Sequence, residues 1–147
     1  MRDRGRRPGV EIAYHRKGAG EPLLLLHGIG HHRQAFDPVL DRLAEHRDVI
    51  ALDLPGSGES PDVPDGIPNE LDTFAYAIDA FCTALDVDRP HVAGNSMGGL
   101  VALRMGQLGL ARSVTARPRD PAARLRHVPM NDAPALVADT ILETPEG

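Results

Sequence analysis

The chain has 147 residues, of which 41% are hydrophobic and 25% charged, and this size and composition fit one globular domain. The longest uninterrupted apolar runs, such as Leu23–Leu26, fall far short of the roughly 20 residues of a membrane-spanning helix, so no membrane partner is expected. The net charge of −5 argues against a nucleic-acid partner, because phosphate binding needs a concentrated basic surface. A single cysteine, Cys82, excludes an internal disulfide and thiol-based metal clusters and favours a cytoplasmic location.

Charge is unevenly distributed along the chain. Residues 37–88 contain thirteen acidic side chains and two arginines, whereas residues 112–126 contain five arginines and one acid. We interpret both as solvated faces that pair across the fold. The arginines of residues 1–9 precede no apolar segment, which predicts a disordered basic tail rather than a secretory signal.

The hydrophobic pattern alternates between strands and helices. In chain order it predicts strands at 10–14, 23–26, 49–54, 90–94 and 113–116, and helices within 32–46, 71–85, 100–110 and 133–142. Such alternation predicts an α/β fold with a mostly parallel open sheet and helices on both faces. Ligands of such sheets bind beyond the carboxyl ends of the strands, where the loops after Leu26, Leu54 and Ala93 should meet.

The strongest chemical signal is the segment Gly94–Gly99, with the sequence Gly-Asn-Ser-Met-Gly-Gly. It follows a predicted strand and opens a helix, which is the context of a G-x-S-x-G nucleophile elbow. Side chains at Gly94 and Gly98 would collide where strand and helix pass closely, and the turn would project the Ser96 hydroxyl beyond the sheet. The alternative is a glycine-rich helix start that binds phosphate or only packs tightly.

Two further motifs follow neighbouring strands. His27-Gly28-Ile29-Gly30 comes after the leucine run, and Asp53–Ser60 reads Asp-Leu-Pro-Gly-Ser-Gly-Glu-Ser. With the elbow, these segments make residues 10–110 resemble the alpha/beta-hydrolase superfamily, in its branch with a serine nucleophile. The resemblance implies that the backbone N–H groups of Ile29 and Met97 form an oxyanion hole. It also implies that His27 supports its loop and is not the catalytic base.

A serine nucleophile needs a base and an orienting carboxylate. The resemblance implies the chain order serine, acid, histidine, and His127 is the one histidine downstream of Ser96. The segment 127–134 resembles the histidine loop of the family, although Arg126 stands where the family usually has a small residue. The alternative for His127 is a surface histidine beside a helix cap.

Asp120 is the one acid between Ser96 and His127. Its surroundings resemble the acid loop that follows the seventh strand of the family, but only six residues separate it from His127, too few for the helix and strand found there. In some relatives the acid follows the sixth strand, and Asp120 lies shortly after the candidate strand 113–116. Both assignments stay open.

The resemblance therefore implies a shortened domain that lacks the lid and part of the carboxyl-terminal sheet, through an internal deletion or a fragmentary gene model. We expect one domain over 10–147, comprising a core at 10–116, a junction at 117–126, and a histidine loop with a terminal helix at 127–147. A shortened sheet would expose a strand edge, through which a homodimer could form. Any pocket would be shallow and open to water.

The expected function is serine hydrolysis of a small ester, lactone or related carbonyl compound through an acyl-enzyme on Ser96, without a cofactor or metal. One alternative is a weak or inactive remnant of the fold that serves as an interaction module. A second is a carbon–carbon bond hydrolase, since the elbow also resembles that subclass. His31, His32 and Phe36 are candidates to border the site, but surface and core positions suit them equally.

Overall fold

The computed structural model describes residues 11–117, which form one five-stranded sheet with helices on both faces. In chain order the elements are β1 (Tyr14–Lys17), β2 (Pro22–Leu26), a 3-10 turn (Arg33–Phe36), α1 (Asp37–Ala44), β3 (Asp48–Leu52), α2 (Leu71–Ala84), β4 (His91–Asn95), α3 (Met97–Gln107) and β5 (Ser113–Arg117). The strand order is β1-β3-β2-β4-β5. β1 runs antiparallel to β3 and all other pairs are parallel. The predicted fold class is confirmed.

Three segments of interest lie outside the described residues. They are the basic tail at 1–9, the part of the junction at 118–126 and the histidine segment at 127–147 with its predicted helix. Among residues 11–117, no helix combines the length and apolar character that crossing a bilayer requires.

The leucine run of β2 forms the centre of two cores. Leu24 and Leu26 pack with α2 and α3 on one face of the sheet, whereas Leu23 and Leu25 pack with α1 on the other. All four side chains are almost fully buried, and each burial contributes about 1.5–3 kcal/mol. Because strand side chains alternate between faces, a continuous apolar run is what a central parallel strand requires.

The first strand differs from the prediction at 10–14. β1 begins at Tyr14, and all four of its residues are exposed. Just before it, the Ala13 carbonyl accepts a hydrogen bond from the Asp53 N–H, while the Ala13 N–H donates to Ser60 Oγ. The Ser60 side chain thus takes the place of a backbone partner for Ala13, and the strand does not extend back to Ile12. Ile12 nevertheless packs against the hydrophobic core.

Helix α3 is also displaced from its predicted span of 100–110. It begins at Met97, because the turn at Ser96 leads directly into it, and Gly98 and Gly99 carry no apolar signal. It ends at Gln107, before Gly109 in the left-handed region with φ +75°. The Leu110 N–H donates to the Met105 carbonyl, which is the closing bond of a Schellman motif.

β5 is the predicted strand at 113–116, extended to Arg117, and among residues 11–117 it pairs only with β4. Its first four residues are half-buried and Arg117 is exposed, whereas β2, β3 and β4 are almost wholly buried. Beside it, α3 exposes Leu100 and Leu103 by 54% and 49%. The described sheet is therefore open on this side.

Candidate active site

Ser96 lies at the junction of β4 and α3 in a strained conformation. Its φ of 55° and ψ of −117° fall outside the regions that L-residues favour, and such strain costs about 1–3 kcal/mol. The Ser96 N–H donates to the Arg117 carbonyl at 3.0 Å, and the Ser96 carbonyl accepts from the Leu100 N–H at 3.1 Å. The end of β5 and the first turn of α3 therefore hold the serine in the conformation of a nucleophile elbow.

The glycines on either side of the serine are required by close backbone contacts. A Cβ at Gly94 would lie 2.2 Å from the Gly98 carbonyl oxygen, and a Cβ at Gly98 would lie 2.1 Å from the Leu26 carbonyl oxygen. Both distances are shorter than any non-bonded contact allows. The elbow is thus pressed against the end of β2, as the motif predicts.

The loop after β2 lies against the nucleophile. A Cβ at Gly28 would lie 3.3 Å from the Ser96 Cβ, so glycine permits the two segments to approach. The His31 N–H closes a turn by donating to the Gly28 carbonyl at 3.1 Å, and Gly30 adopts φ +78° in that turn. Ile29, in the same turn, exposes 76% of its surface.

Met97 provides the other proposed oxyanion donor. It is the first residue of α3, and N–H groups in the first turn of a helix have no partner within the helix. The helix dipole adds positive potential at this end. A backbone N–H at this position, beside the loop that carries Ile29, is the arrangement that stabilises a developing oxyanion.

His27 is fully buried, and both of its ring nitrogens are engaged with the backbone. Nδ1 donates to the Gly28 carbonyl at 2.7 Å, and Nε2 accepts from the Leu54 N–H at 2.9 Å. Burial lowers the pKa of His27, so the ring is neutral at ordinary pH. It links the loops after β2 and β3 and has no free nitrogen with which to take a proton from Ser96.

Asp53 anchors the loop after β3. Its buried carboxylate accepts hydrogen bonds from the N–H groups of Arg33 and Glu59 at 2.6 and 2.9 Å and from the Arg33 guanidinium at 2.5 Å. Burial alone would raise the pKa of Asp53, but these hydrogen bonds outweigh it and hold the pKa below its ordinary value. A Cβ at Gly58 would lie 2.3 Å from the carboxylate, which explains the glycine.

Arg33 completes this ionic cluster and was not predicted from the sequence. Besides Asp53, its guanidinium binds Glu59 at 2.5 Å, and these partners raise its pKa above its already high value. Arg33 is twenty residues away from Asp53 in the chain, so no local pattern indicates that the two form an ion pair. The only hint in the sequence is that Arg33 lies between the His27–Gly30 and Asp53–Ser60 motifs. The cluster therefore uses the carboxylate of Asp53 as a structural anchor rather than for chemistry.

Among the candidates to border the site, His31 lies closest to the nucleophile. A Cβ at Gly28 would lie 3.6 Å from His31 Cδ2 as well as close to Ser96. His32 is exposed and precedes the 3-10 turn, and Phe36 is buried in the core under α1. His127 and Asp120 lie outside the described residues, so the base and the acid of the triad stay predictions.

A groove with a volume of about 410 Å³ lies away from Ser96. It is formed by residues 11–12, the loop at 55–68 and α2, and its lining includes neither Ser96 nor the two oxyanion residues. The elbow and its facing loop do not form part of this cavity.

The fold and the elbow are those of an alpha/beta hydrolase. The family model described as alpha/beta hydrolase fold matches residues 21–114, and the chain belongs to this family. It is 37% identical over 89 residues to an (E)-2-((N-methylformamido)methylene)succinate hydrolase of Acinetobacter baylyi, with 60% of this chain and 33% of that protein covered. It is 36% identical over 98 residues to a 2-hydroxy-6-oxo-2,4-heptadienoate hydrolase of Pseudomonas putida, with 65% and 35% covered.

The chain is also similar to a solved structure of a hydrolase. The chain resembles an N-acyl homoserine lactonase in complex with N-hexanoyl homoserine lactone, with 28% identity and a TM-score of 0.70, over 82% of this chain and 46% of that one. The chain therefore spans about a third of the length of the two curated hydrolases and less than half of the lactonase.

Proposed function

We propose that this chain is a serine hydrolase that acts on a small ester, lactone or related carbonyl substrate through an acyl-enzyme on Ser96. The strained backbone of Ser96, held between β4, α3 and the carbonyl of Arg117, carries this proposal. A serine in a purely structural turn has no need of a conformation that costs about 1–3 kcal/mol. Such strain is instead typical of functional sites, where it aims a side chain at a substrate.

The reaction begins when Ser96 Oγ attacks the substrate carbonyl carbon and its proton passes to a base. The carbonyl oxygen becomes an oxyanion, to which the N–H groups of Ile29 and Met97 donate; one such donor is worth about 100- to 1000-fold in rate. The carbon–oxygen bond to the alcohol then breaks, and the alcohol takes the proton from the base. Water next attacks the acyl-enzyme, giving the carboxylic acid and free Ser96.

We propose His127 as the base. The Arg117 carbonyl bonds the Ser96 N–H, so the chain leaves β5 directly beside the nucleophile. His127 follows ten residues later, and ten residues span at most about 36 Å when fully extended. This short tether supports the role of His127, because the ring needs only to return to the sheet edge from which its segment departs.

Asp120 is the proposed orienting acid. It lies three residues after Arg117, and that distance keeps its Cα within about 11 Å of the Arg117 Cα at the end of β5. A carboxylate there would hold the imidazole of His127 in the tautomer that accepts the serine proton.

A fluorophosphonate probe tests the proposal, because it labels only activated serines. We expect the purified chain to be labelled, Ser96→Ala to abolish labelling, and His127→Ala to slow it at least 100-fold. Ser57→Ala, in the loop after β3, is the matched control and should label normally. A folded sample that takes no label would overturn the proposal.

Carbon–carbon bond hydrolysis is a second candidate activity. It is favoured by the likeness to the heptadienoate hydrolase. A chromogenic ring-fission substrate separates the two activities: its cleavage at a rate above that of simple esters would favour this subclass.

The alternative to catalysis is that the chain serves as an interaction module. We propose that the edge of β5 is also the contact surface of a homodimer. The support is the edge of β5, which among residues 11–117 pairs as a strand only with β4, next to exposed Leu100 and Leu103, since a strand edge beside apolar side chains favours a second copy of the chain. Sedimentation velocity should detect a dimer that Leu103→Arg dissociates and Tyr76→Arg, on exposed α2, does not. A monomer at high concentration would rule the dimer out.

We also propose a cytoplasmic location. It rests on the single cysteine, whose thiol is buried in α2. Fractionation of cells that express the chain tests it, and recovery outside the cytoplasm would contradict it.

A further inference from the structure

His31 lies in a hydrogen-bonded turn beside the proposed nucleophile. Its N–H closes the turn to the Gly28 carbonyl, and the next residue leads into the 3-10 turn that precedes α1. The ring is half-buried and belongs to the same loop as the proposed oxyanion donor Ile29.

Only the width of one methyl group separates the ring from the serine. A single Cβ added at Gly28 would contact both the Ser96 Cβ, at 3.3 Å, and His31 Cδ2, at 3.6 Å. Nε2 is bonded directly to Cδ2, so a ring nitrogen lies within reach of a substrate bound to Ser96.

The ring nitrogens of His31 make no hydrogen bond within the described part of the chain, in contrast with those of His27. His27 contacts backbone groups with both nitrogens and is a structural link. An imidazole beside a nucleophile with both nitrogens unused can donate a hydrogen bond to a substrate.

The two described segments that flank Ser96 contribute no acid that would repel an anionic acceptor for this hydrogen bond. The chain as a whole carries a net charge of −5, yet the two segments that form the site are free of acids. No Asp or Glu occurs between Glu21 and Asp37, which spans the loop after β2, or between Asp88 and Asp120, which spans the elbow. A negatively charged substrate therefore meets no acid from either of the segments that carry its reacting groups.

We propose that His31 is a substrate-binding residue that donates a hydrogen bond to a carboxylate a few carbons away from the scissile carbonyl, and that the preferred substrates are monoesters of short dicarboxylic acids or similar carbonyl compounds with a carboxylate. This inference rests on the proposed serine hydrolase function. The exposed side chain of Ile29 provides an apolar contact for the carbon chain between the two groups.

A pair of substrates tests the proposal by kinetics. Monoethyl glutarate carries the carboxylate and ethyl pentanoate lacks it, and release of ethanol is measured for both. We expect the wild-type chain to prefer the glutarate monoester, and His31→Ala to lower kcat/KM for it roughly 10- to 100-fold more than for ethyl pentanoate, mainly through KM. His31→Gln keeps an N–H donor and should restore part of the preference.

His32→Ala is the matched control, since His32 is the exposed neighbour in the same loop, and it should leave the preference between the two esters unchanged. An equal loss for both esters in His31→Ala would overturn the proposal, because the residue would then act on a step common to both. An unchanged preference would overturn it as well.

A binding measurement makes the test independent of turnover. In the Ser96→Ala variant, the side-chain 15N resonances of His31 should shift when monoethyl glutarate is added and should not shift with ethyl pentanoate. Absence of the His31 shift overturns this inference whatever the activity. A shift in His31 together with no labelling of Ser96 by the fluorophosphonate would instead reject the proposed hydrolase and leave the binding role standing.

Discussion

Two loops at the same edge of the sheet carry family motifs but treat their polar groups in opposite ways. In the loop after β3, the carboxylate of Asp53 is buried and saturated by hydrogen bonds from Arg33 and Glu59. At the elbow, Ser96 is half-exposed and strained, and its hydroxyl makes no hydrogen bond within residues 11–117. The first loop uses its polar groups to fix the backbone, and the second keeps one group available for a substrate.

Among the changes that test this difference between the two loops, removal of the Asp53 carboxylate should lower the free energy of unfolding the most. Asp53→Ala leaves the buried guanidinium of Arg33 without its buried partner, and breaking a buried pair in this way costs about 3–5 kcal/mol. Urea denaturation followed by circular dichroism measures the loss. Asp72→Ala, which removes the exposed partner of Arg104, is the control and should change stability far less. Equal effects would mean that the Asp53 cluster is not the structural anchor of the edge.

Substitutions of two serines should change the free energy of unfolding in opposite directions. Ser60 Oγ donates to the Asp53 carbonyl and accepts from the Ala13 N–H, so Ser60→Ala leaves buried backbone groups unpaired and should lower the free energy of unfolding by about 1–3 kcal/mol. Ser96→Gly should raise that free energy by about 1 kcal/mol, because glycine adopts the elbow conformation without strain. The same denaturation experiment measures both, and a loss of stability in Ser96→Gly would contradict a strained nucleophile.

Stability should fall in two stages as the pH is lowered. The folded pKa of His27 is depressed by burial, so the unfolded chain binds its proton first and stability declines below about pH 6.5. The pKa of Asp53 is also depressed in the fold, so its contribution is present above about pH 4 and is lost as the pH falls through the folded pKa. Thermal melts between pH 7 and pH 3 measure both stages, and Asp53→Ala should weaken the second stage.

The smallest expected effect concerns Cys82. Burial raises the pKa of its thiol to about 12, so the thiolate that reacts with disulfide reagents is scarce in the folded chain. We expect no measurable reaction with a thiol reagent in the native state and rapid reaction in urea. Fast labelling of the native chain would indicate that α2 opens locally.

The sequence predicted the elements that depend on local pattern and missed those that depend on distant partners. Leu23–Leu26 signals a central strand by itself, and the glycines around Ser96 signal a close approach. The ionic bond between Arg33 and Asp53 has no local signal, because it joins residues that only the fold brings together. The start of α3 was missed because Gly98 is an unfavourable helix residue that the contact with Leu26 nevertheless requires.

The candidate site follows the same division. The elbow at Ser96 and the turn that carries Ile29 could be predicted from motifs because both are built from backbone turns with characteristic residues, and their roles as nucleophile and oxyanion donor stay predictions. The position of His31 beside Ser96 depends on how two loops, 65 residues apart in the chain, meet at the sheet edge. His127 and Asp120 lie beyond the described residues and stay predictions.

The hydrogen bond from the Ser96 N–H to the Arg117 carbonyl also bears on when the nucleophile acquires its geometry during synthesis. The ribosome adds Arg117 some twenty residues after Ser96, and β5 must then pair with β4 before that bond can form. A nascent chain that ends before β5 would hold the serine but not the carbonyl that fixes it. Because the proposed base His127 follows β5, reactivity of Ser96 towards a fluorophosphonate would report completion of the described sheet together with synthesis of His127, and not merely synthesis of the motif.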